Sequence, residues 1–103
     1  MPVIKKLDID TTNQYYNLNM NAKNRKTLED IFKKPTMSSI QWKDIEALLI
    51  SIGAEISEGE GSRIRIKLNN VRAVFHRPHP KKETDKGAVA SMKRFLENAG
   101  VKP

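Results

Sequence analysis

The chain has 103 residues, no cysteine and a formal net charge of +7. Neither disulfides nor thiolate metal ligands are therefore available, and no apolar run approaches the ~20 residues that cross a membrane. These properties predict a single domain in the cytoplasm, without membrane contact. Because Lys and Arg release condensed counterions from phosphates, a small domain this basic is expected to meet a polyanion, usually nucleic acid.

The first twenty residues differ from the rest of the chain. They show neither a helical nor a strand period, their charges cancel, and they lack the apolar core of a signal peptide. We expect residues 1–20 to form a flexible arm and residues 21–103 to form the functional domain. Patterned sequence begins just after Met20, which could itself be the natural start.

Two helices are predicted next. Residues 24–34 carry a narrow apolar stripe, and the helix is expected to end before Pro35. Ser38 or Ser39 is then expected to cap a second helix, with Gly53 after its C-terminus. Apolar residues recur in this second helix at helical spacing: Trp42, Ile45, Leu48, Leu49 and Ile52.

The period changes after Gly53. Residues 54–57 are predicted as a short strand, and residues 62–68 alternate between basic and apolar side chains, as in a half-buried strand. Asn69 and Asn70 tolerate positive φ and predict a two-residue hairpin turn into a strand over 71–76. A charged loop over 81–86 and a helix over 88–98 complete an α+β fold of order α-α-β-β-β-α.

The predicted hairpin has two chemically different faces. A turn at Asn69-Asn70 pairs Leu68 with Val71 and places the apolar side chains together, whereas the basic side chains share the other face. Residues 61–82 hold seven Lys and Arg, two His and no acid. An ordinary solvated sheet face is the alternative, but this bias favours RNA binding. The predicted RNA-binding residues are Arg63, Arg65, Lys67, Arg72, Arg77, His79 and Lys81.

One histidine of this segment suggests catalysis of RNA cleavage as well as RNA binding. Metal-free RNA cleavage needs a base for the 2′-hydroxyl, an acid for the leaving oxygen and a cation for the phosphorane. His76 with Arg63 is the predicted catalytic pair, as base and cation. No metal and no cofactor are expected. His76 and His79 lie among cations, without the carboxylate or thiolate that would complete a metal site.

The order of these segments resembles the HicA family of toxins over about residues 38–101. The resembling motifs are the helix end Leu-Ile-Ser-Ile-Gly53, then Glu58-Gly59-Glu60-Gly61-Ser62-Arg63, His76-Arg77-Pro78-His79-Pro80 and Asn98-Ala99-Gly100-Val101. The resemblance implies a double-stranded-RNA-binding-like fold, with a three-stranded antiparallel sheet packed on two helices. Residues 21–34 resemble the extra N-terminal helix of a subgroup. The resemblance to the HicA family also implies an RNA-cleaving toxin that blocks translation and is neutralised by a HicB antitoxin.

The chain departs from the family pattern at one position. The usual catalytic histidine follows Gly-Gly or Gly-Ser, and Arg63 occupies that place here. Because a guanidinium stays protonated near neutral pH, Arg63 cannot act as a general base. Either His76 has taken over catalysis in a metal-independent ribonuclease, or the chain binds mRNA without cutting it. Two alternatives remain: a non-enzymatic RNA-binding regulatory module, and a basic adaptor that docks an acidic protein.

Overall fold

The structure is a computed structural model that describes residues 20–103. The predicted arm therefore lies outside the described residues, apart from Met20, which is 4% exposed and packs in the core. Helix α1 spans Ala22–Ile31. It begins two residues before the predicted start because the Asn21 side chain accepts a hydrogen bond from the Asn24 backbone N–H at 2.7 Å. It also ends three residues earlier than predicted.

A two-residue strand, β1 (Ile40–Gln41), precedes helix α2 (Trp42–Ser51). The predicted cap at Ser38 or Ser39 is wrong, since Gln41 is the N-cap and its side chain makes no capping hydrogen bond. Strand β1 instead pairs antiparallel with β5 (Glu83–Thr84), which lies within the predicted charged loop. The pairing joins segments more than forty residues apart, so local sequence patterns do not reveal it.

The main sheet contains β2 (Glu55–Glu58), β3 (Arg63–Leu68) and β4 (Val71–His76) in the antiparallel order β2-β3-β4. The predicted hairpin register is confirmed over all six pairs, from Arg63 opposite His76 to Leu68 opposite Val71. Asn69 and Asn70 adopt φ values of 50° and 69°, as a two-residue turn requires. The Asn69 side chain also donates from Nδ2 to the Ala99 carbonyl at 2.8 Å.

Helix α3 spans Lys86–Asn98 and begins two residues before the predicted start, because the Asp85 side chain accepts a hydrogen bond from the Ala88 N–H. Helices α2 and α3 cover the inner face of the main sheet, and α1 packs on α2. Trp42 and Phe95 lie in this core, as predicted, with Phe75 between them. The predicted α+β fold, with a three-stranded sheet on two helices and an additional N-terminal helix, is confirmed. None of the helices in residues 20–103 is long and apolar enough to cross a membrane.

Candidate functional site

The outer face of the β3–β4 hairpin gathers most of the predicted RNA-binding residues. We call this surface the basic face, and its members are Arg63, Arg65, Lys67, Arg72 and His76. Lys67 is half-buried and the other four are exposed. Strand alternation explains the arrangement, because the intervening residues point into the core.

Two pairs within the basic face lie directly opposite each other. Lys67 faces Arg72, and Arg63 faces His76. The Arg77 N–H donates a hydrogen bond to the Ser62 carbonyl at 2.9 Å. This bond determines the phase of the β3–β4 ladder, that is, which opposite residues form hydrogen-bonded pairs and which form non-hydrogen-bonded pairs. In that phase both pairs are non-hydrogen-bonded ones, whose Cα atoms approach to about 4.5 Å. Lys67 and Arg72 therefore concentrate two positive charges at one point on the sheet, and Arg63 and His76 lie close together at another.

Strand β2 adds two residues to the same surface, and local sequence patterns do not predict their position there. Glu55 lies opposite Lys67, and Ser57 lies opposite Arg65. An acid therefore borders the basic face beside Lys67, whereas the end formed by Arg63 and His76 has none opposite it on β2. Val74 lies opposite Arg65 and is 55% exposed, so an apolar side chain occupies the middle of the surface. The outer surface of the sheet therefore combines basic, acidic and apolar side chains.

The loop between β2 and β3 brings a hydroxyl group to His76. Ser62 Oγ lies 3.4 Å from His76 Nδ1, which leaves Nε2 of the exposed imidazole available for a ligand. The loop is tight, because a Cβ atom at Gly59 would approach both Cβ and the carbonyl oxygen of Arg63 to 3.3 Å. Gly61 takes a positive φ of 63° in the same loop. Small residues thus allow the chain to place Ser62, Arg63 and His76 together.

Arg77 is held by two carboxylates. Its Nη1 and Nη2 donate to the two carboxylate oxygens of Glu58 at 2.8 and 2.9 Å, and Nη2 and Nε donate to Glu46 Oε2 at 2.8 and 3.2 Å. Hydrogen bonds to Glu58, and then to Glu46, raise the pKa of Arg77 above its ordinary value. All three guanidinium nitrogens are therefore committed within the protein. The assignment of Arg77 to RNA binding stays a prediction, and its visible role is to tie the end of β4 to α2 and β2.

The contact between Arg77 and Glu58 gives stability a specific pH dependence. Hydrogen bonds from Arg77 lower the pKa of Glu58 below its ordinary value of 4.5. The stabilisation is therefore fully present above the pKa of the unfolded state and is lost as the pH falls through the lowered pKa of the folded state. We expect Glu58→Gln to lower the urea midpoint slightly at neutral pH, since solvent screens this exposed pair, and the difference from wild type to shrink in acid. Parallel pH profiles of the two proteins would contradict this expectation.

The remaining predicted RNA contacts lie elsewhere. His79 and Lys81 are exposed and line a separate groove beside the start of α2, together with Lys43 and Lys82. The structure does not join this groove to the basic face. Within residues 20–103, no three His, Asp or Glu side chains come together as a metal site.

A family model described as the HicA toxin of bacterial toxin–antitoxin systems matches residues 42–101, more than half of the chain. The chain belongs to the HicA toxin family. The match begins at the first residue of α2 and ends just beyond α3, so the whole basic face of this HicA chain lies inside it, whereas α1 precedes it. Searches of curated proteins and of solved structures found no match.

Family membership confirms the resemblance inferred from the motifs. It makes this HicA chain the toxin component of a toxin–antitoxin system and implies an antitoxin as its partner. The α+β architecture is consistent with the double-stranded-RNA-binding-like fold expected of a HicA protein.

Proposed function

We propose that this HicA chain binds mRNA through its basic face and thereby blocks translation, and that a HicB-like antitoxin neutralises it in the cytoplasm. The observation that carries the proposal is the convergence of Arg63, Arg65, Lys67, Arg72 and His76 on one exposed sheet face. Like charges directly opposite each other, as Lys67 and Arg72 are, destabilise a sheet. A phosphate backbone bound across the pair removes that repulsion and releases counterions.

The residues of the basic face also limit how this chain could cleave RNA. Arg63 stays protonated and stabilises negative charge on phosphorus, but it does not accept a proton. His76 lies directly opposite Arg63 and is the histidine of the basic face. Its free Nε2 is therefore the candidate base for the 2′-hydroxyl, with Ser62 Oγ orienting the ring from the Nδ1 side. Catalysis by this chain would depend on His76 and Arg63, with Ser62 as a positioning residue.

The proposal is tested with a labelled single-stranded RNA in EDTA at low salt. We compare wild type with His76→Ala and use His79→Ala, in the separate groove, as the matched control. We expect all three proteins to form a complex, with any cleavage product made by wild type and His79→Ala but not by His76→Ala. Failure of wild type to form a complex would overturn the proposed function. Cleavage that persists in His76→Ala would remove His76 from the mechanism.

A second candidate function is a regulatory RNA-binding module that does not cut RNA. The observation in its favour is Arg63, which replaces the histidine expected at that position of the family. This candidate predicts a stable complex and intact RNA with wild type and both variants in the same assay.

A further inference from the structure

Strand β4 forms an open edge of the main sheet. The ladder phase directs the backbone N–H and C=O groups of Val71, Ala73 and Phe75 toward β3. The corresponding groups of Arg72, Val74 and His76 point away from the sheet, and none of them has a hydrogen-bond partner among the described residues. Unpaired backbone groups along an edge are a template for another strand.

This edge opens onto a groove between β4 and α3, which we call the β4–α3 groove. All six residues of β4 line one wall, and α3 supplies the other with Ala88, Ser91 and Phe95 among its residues. A six-residue strand spans about 20 Å, and a thirteen-residue helix also spans about 20 Å. The groove is therefore long enough for an extended segment of about six residues.

The charged residues of the groove indicate which side chains such a segment would carry. Arg72, His76 and Arg94 line the groove, with Asp85 as the acid among its lining residues. Along the outer side of β4 the exposed side chains read Arg72, Val74, His76, which is basic, apolar, basic. A strand beside β4 places its own alternate side chains next to these three. The complementary pattern is an acid, an apolar residue and a second acid at every other position.

We propose that the β4–α3 groove binds an extended acidic segment of a partner protein, which joins the antiparallel sheet as a fourth strand, antiparallel to β4. A peptide backbone supplies the alternating donors and acceptors that match this edge. RNA phosphates supply acceptors alone and leave the three outward carbonyl groups unpaired. The side chains of the segment that face α3 are small or apolar, because Ala88 and Ser91 line that wall.

The position of the groove connects this docking mode to regulation. Arg72 and His76 belong to both the groove wall and the basic face. A docked acidic strand would neutralise part of the surface proposed to bind mRNA. The inference that the partner is an antitoxin competing with RNA rests on the proposed function. The groove itself and its preference for an acidic strand do not depend on that function.

The test uses the full-length chain and a fluorescent peptide, Thr-Glu-Thr-Val-Thr-Glu-Thr, with binding followed by anisotropy and without RNA. Two forms of the peptide each carry three N-methyl groups. In an antiparallel pairing the N–H groups of Glu, Val and Glu face β4, and the first form is methylated on these three residues. The second form is methylated on the Thr residues at its third, fifth and seventh positions, whose N–H groups face away. We expect the first form to bind about tenfold more weakly or worse, and the second to bind like the parent.

Further variants locate the site. Lysine in place of both glutamates is expected to abolish binding. Ser91→Trp, which fills the groove from α3 and leaves the basic face intact, is expected to weaken peptide binding about tenfold while RNA binding is unchanged. If the peptide does not bind, if both methylated forms bind equally, or if Ser91→Trp has no effect, the proposal is overturned. A dimer of the free chain that Ser91→Trp disrupts would instead assign the groove to a second copy.

The two proposals fail separately. The peptide assay contains no RNA, so its failure leaves the RNA complex as the measure of the proposed function. Loss of the RNA complex, with peptide binding intact and sensitive to methylation, would overturn the proposed function and leave the docking groove standing.

Discussion

Replacing both Arg65 and Lys67 with alanine is expected to weaken RNA binding by about tenfold to 100-fold at low salt. Both side chains belong to the basic face and lie on the central strand of the sheet. Two lost phosphate contacts should also reduce the slope of log K against log salt by about 1.4 for single-stranded RNA. The measurement is a binding titration of wild type and the double variant at several salt concentrations.

A matched control separates this local effect from net charge. Lys34→Ala with Lys102→Ala removes the same number of charges at exposed positions outside the hairpin. We expect this control to leave the salt slope close to that of wild type. Equal losses in the two double variants would mean that overall charge, rather than the basic face, holds the RNA.

Leu48→Ala is expected to lower the free energy of unfolding by about 2–5 kcal/mol. Leu48 is a fully buried residue of α2 within the hydrophobic core, and its truncation leaves a cavity there. The loss is a large part of the stability of a small domain, which totals about 5–15 kcal/mol. Urea denaturation gives the value directly.

Ile50, two residues further along the same helix, provides the control. It is 65% exposed, so Ile50→Ala removes little buried surface and should change stability by no more than about 0.5 kcal/mol. Similar losses of unfolding free energy for Leu48→Ala and Ile50→Ala would contradict the burial of Leu48 and the exposure of Ile50 on α2.

The hairpin was predictable because its signals are local. Two asparagines at a turn and a strict alternation on both sides determine the register without reference to the rest of the fold. Four basic side chains and His76 therefore fall on one face as soon as Asn69-Asn70 is taken as the turn. The helical period of α2 is equally local, which is why its core residues were predicted although its cap was not.

Features that depend on distant segments were not predictable. The strand over 54–57 was expected, but its register with β3 was not, so Glu55 and Ser57 were not placed beside the basic face. Arg77 looked like one more cation of a basic segment. Its carboxylate partners lie 19 and 31 residues away in sequence, and no spacing rule connects them. A basic residue in an acid-free segment is thus weak evidence for ligand contact until its surroundings are known.

The hydrogen bond from Asn69 to the Ala99 carbonyl affects how the protein is made on the ribosome. It joins the tip of the basic hairpin to residues just beyond α3, where Ala99 and Val101 are buried in the core. The hairpin therefore lacks its final support until Val101 has left the ribosomal exit tunnel, and the domain completes its fold as a unit afterwards. During synthesis the tip of the hairpin therefore stays unsupported after all of its own residues have emerged.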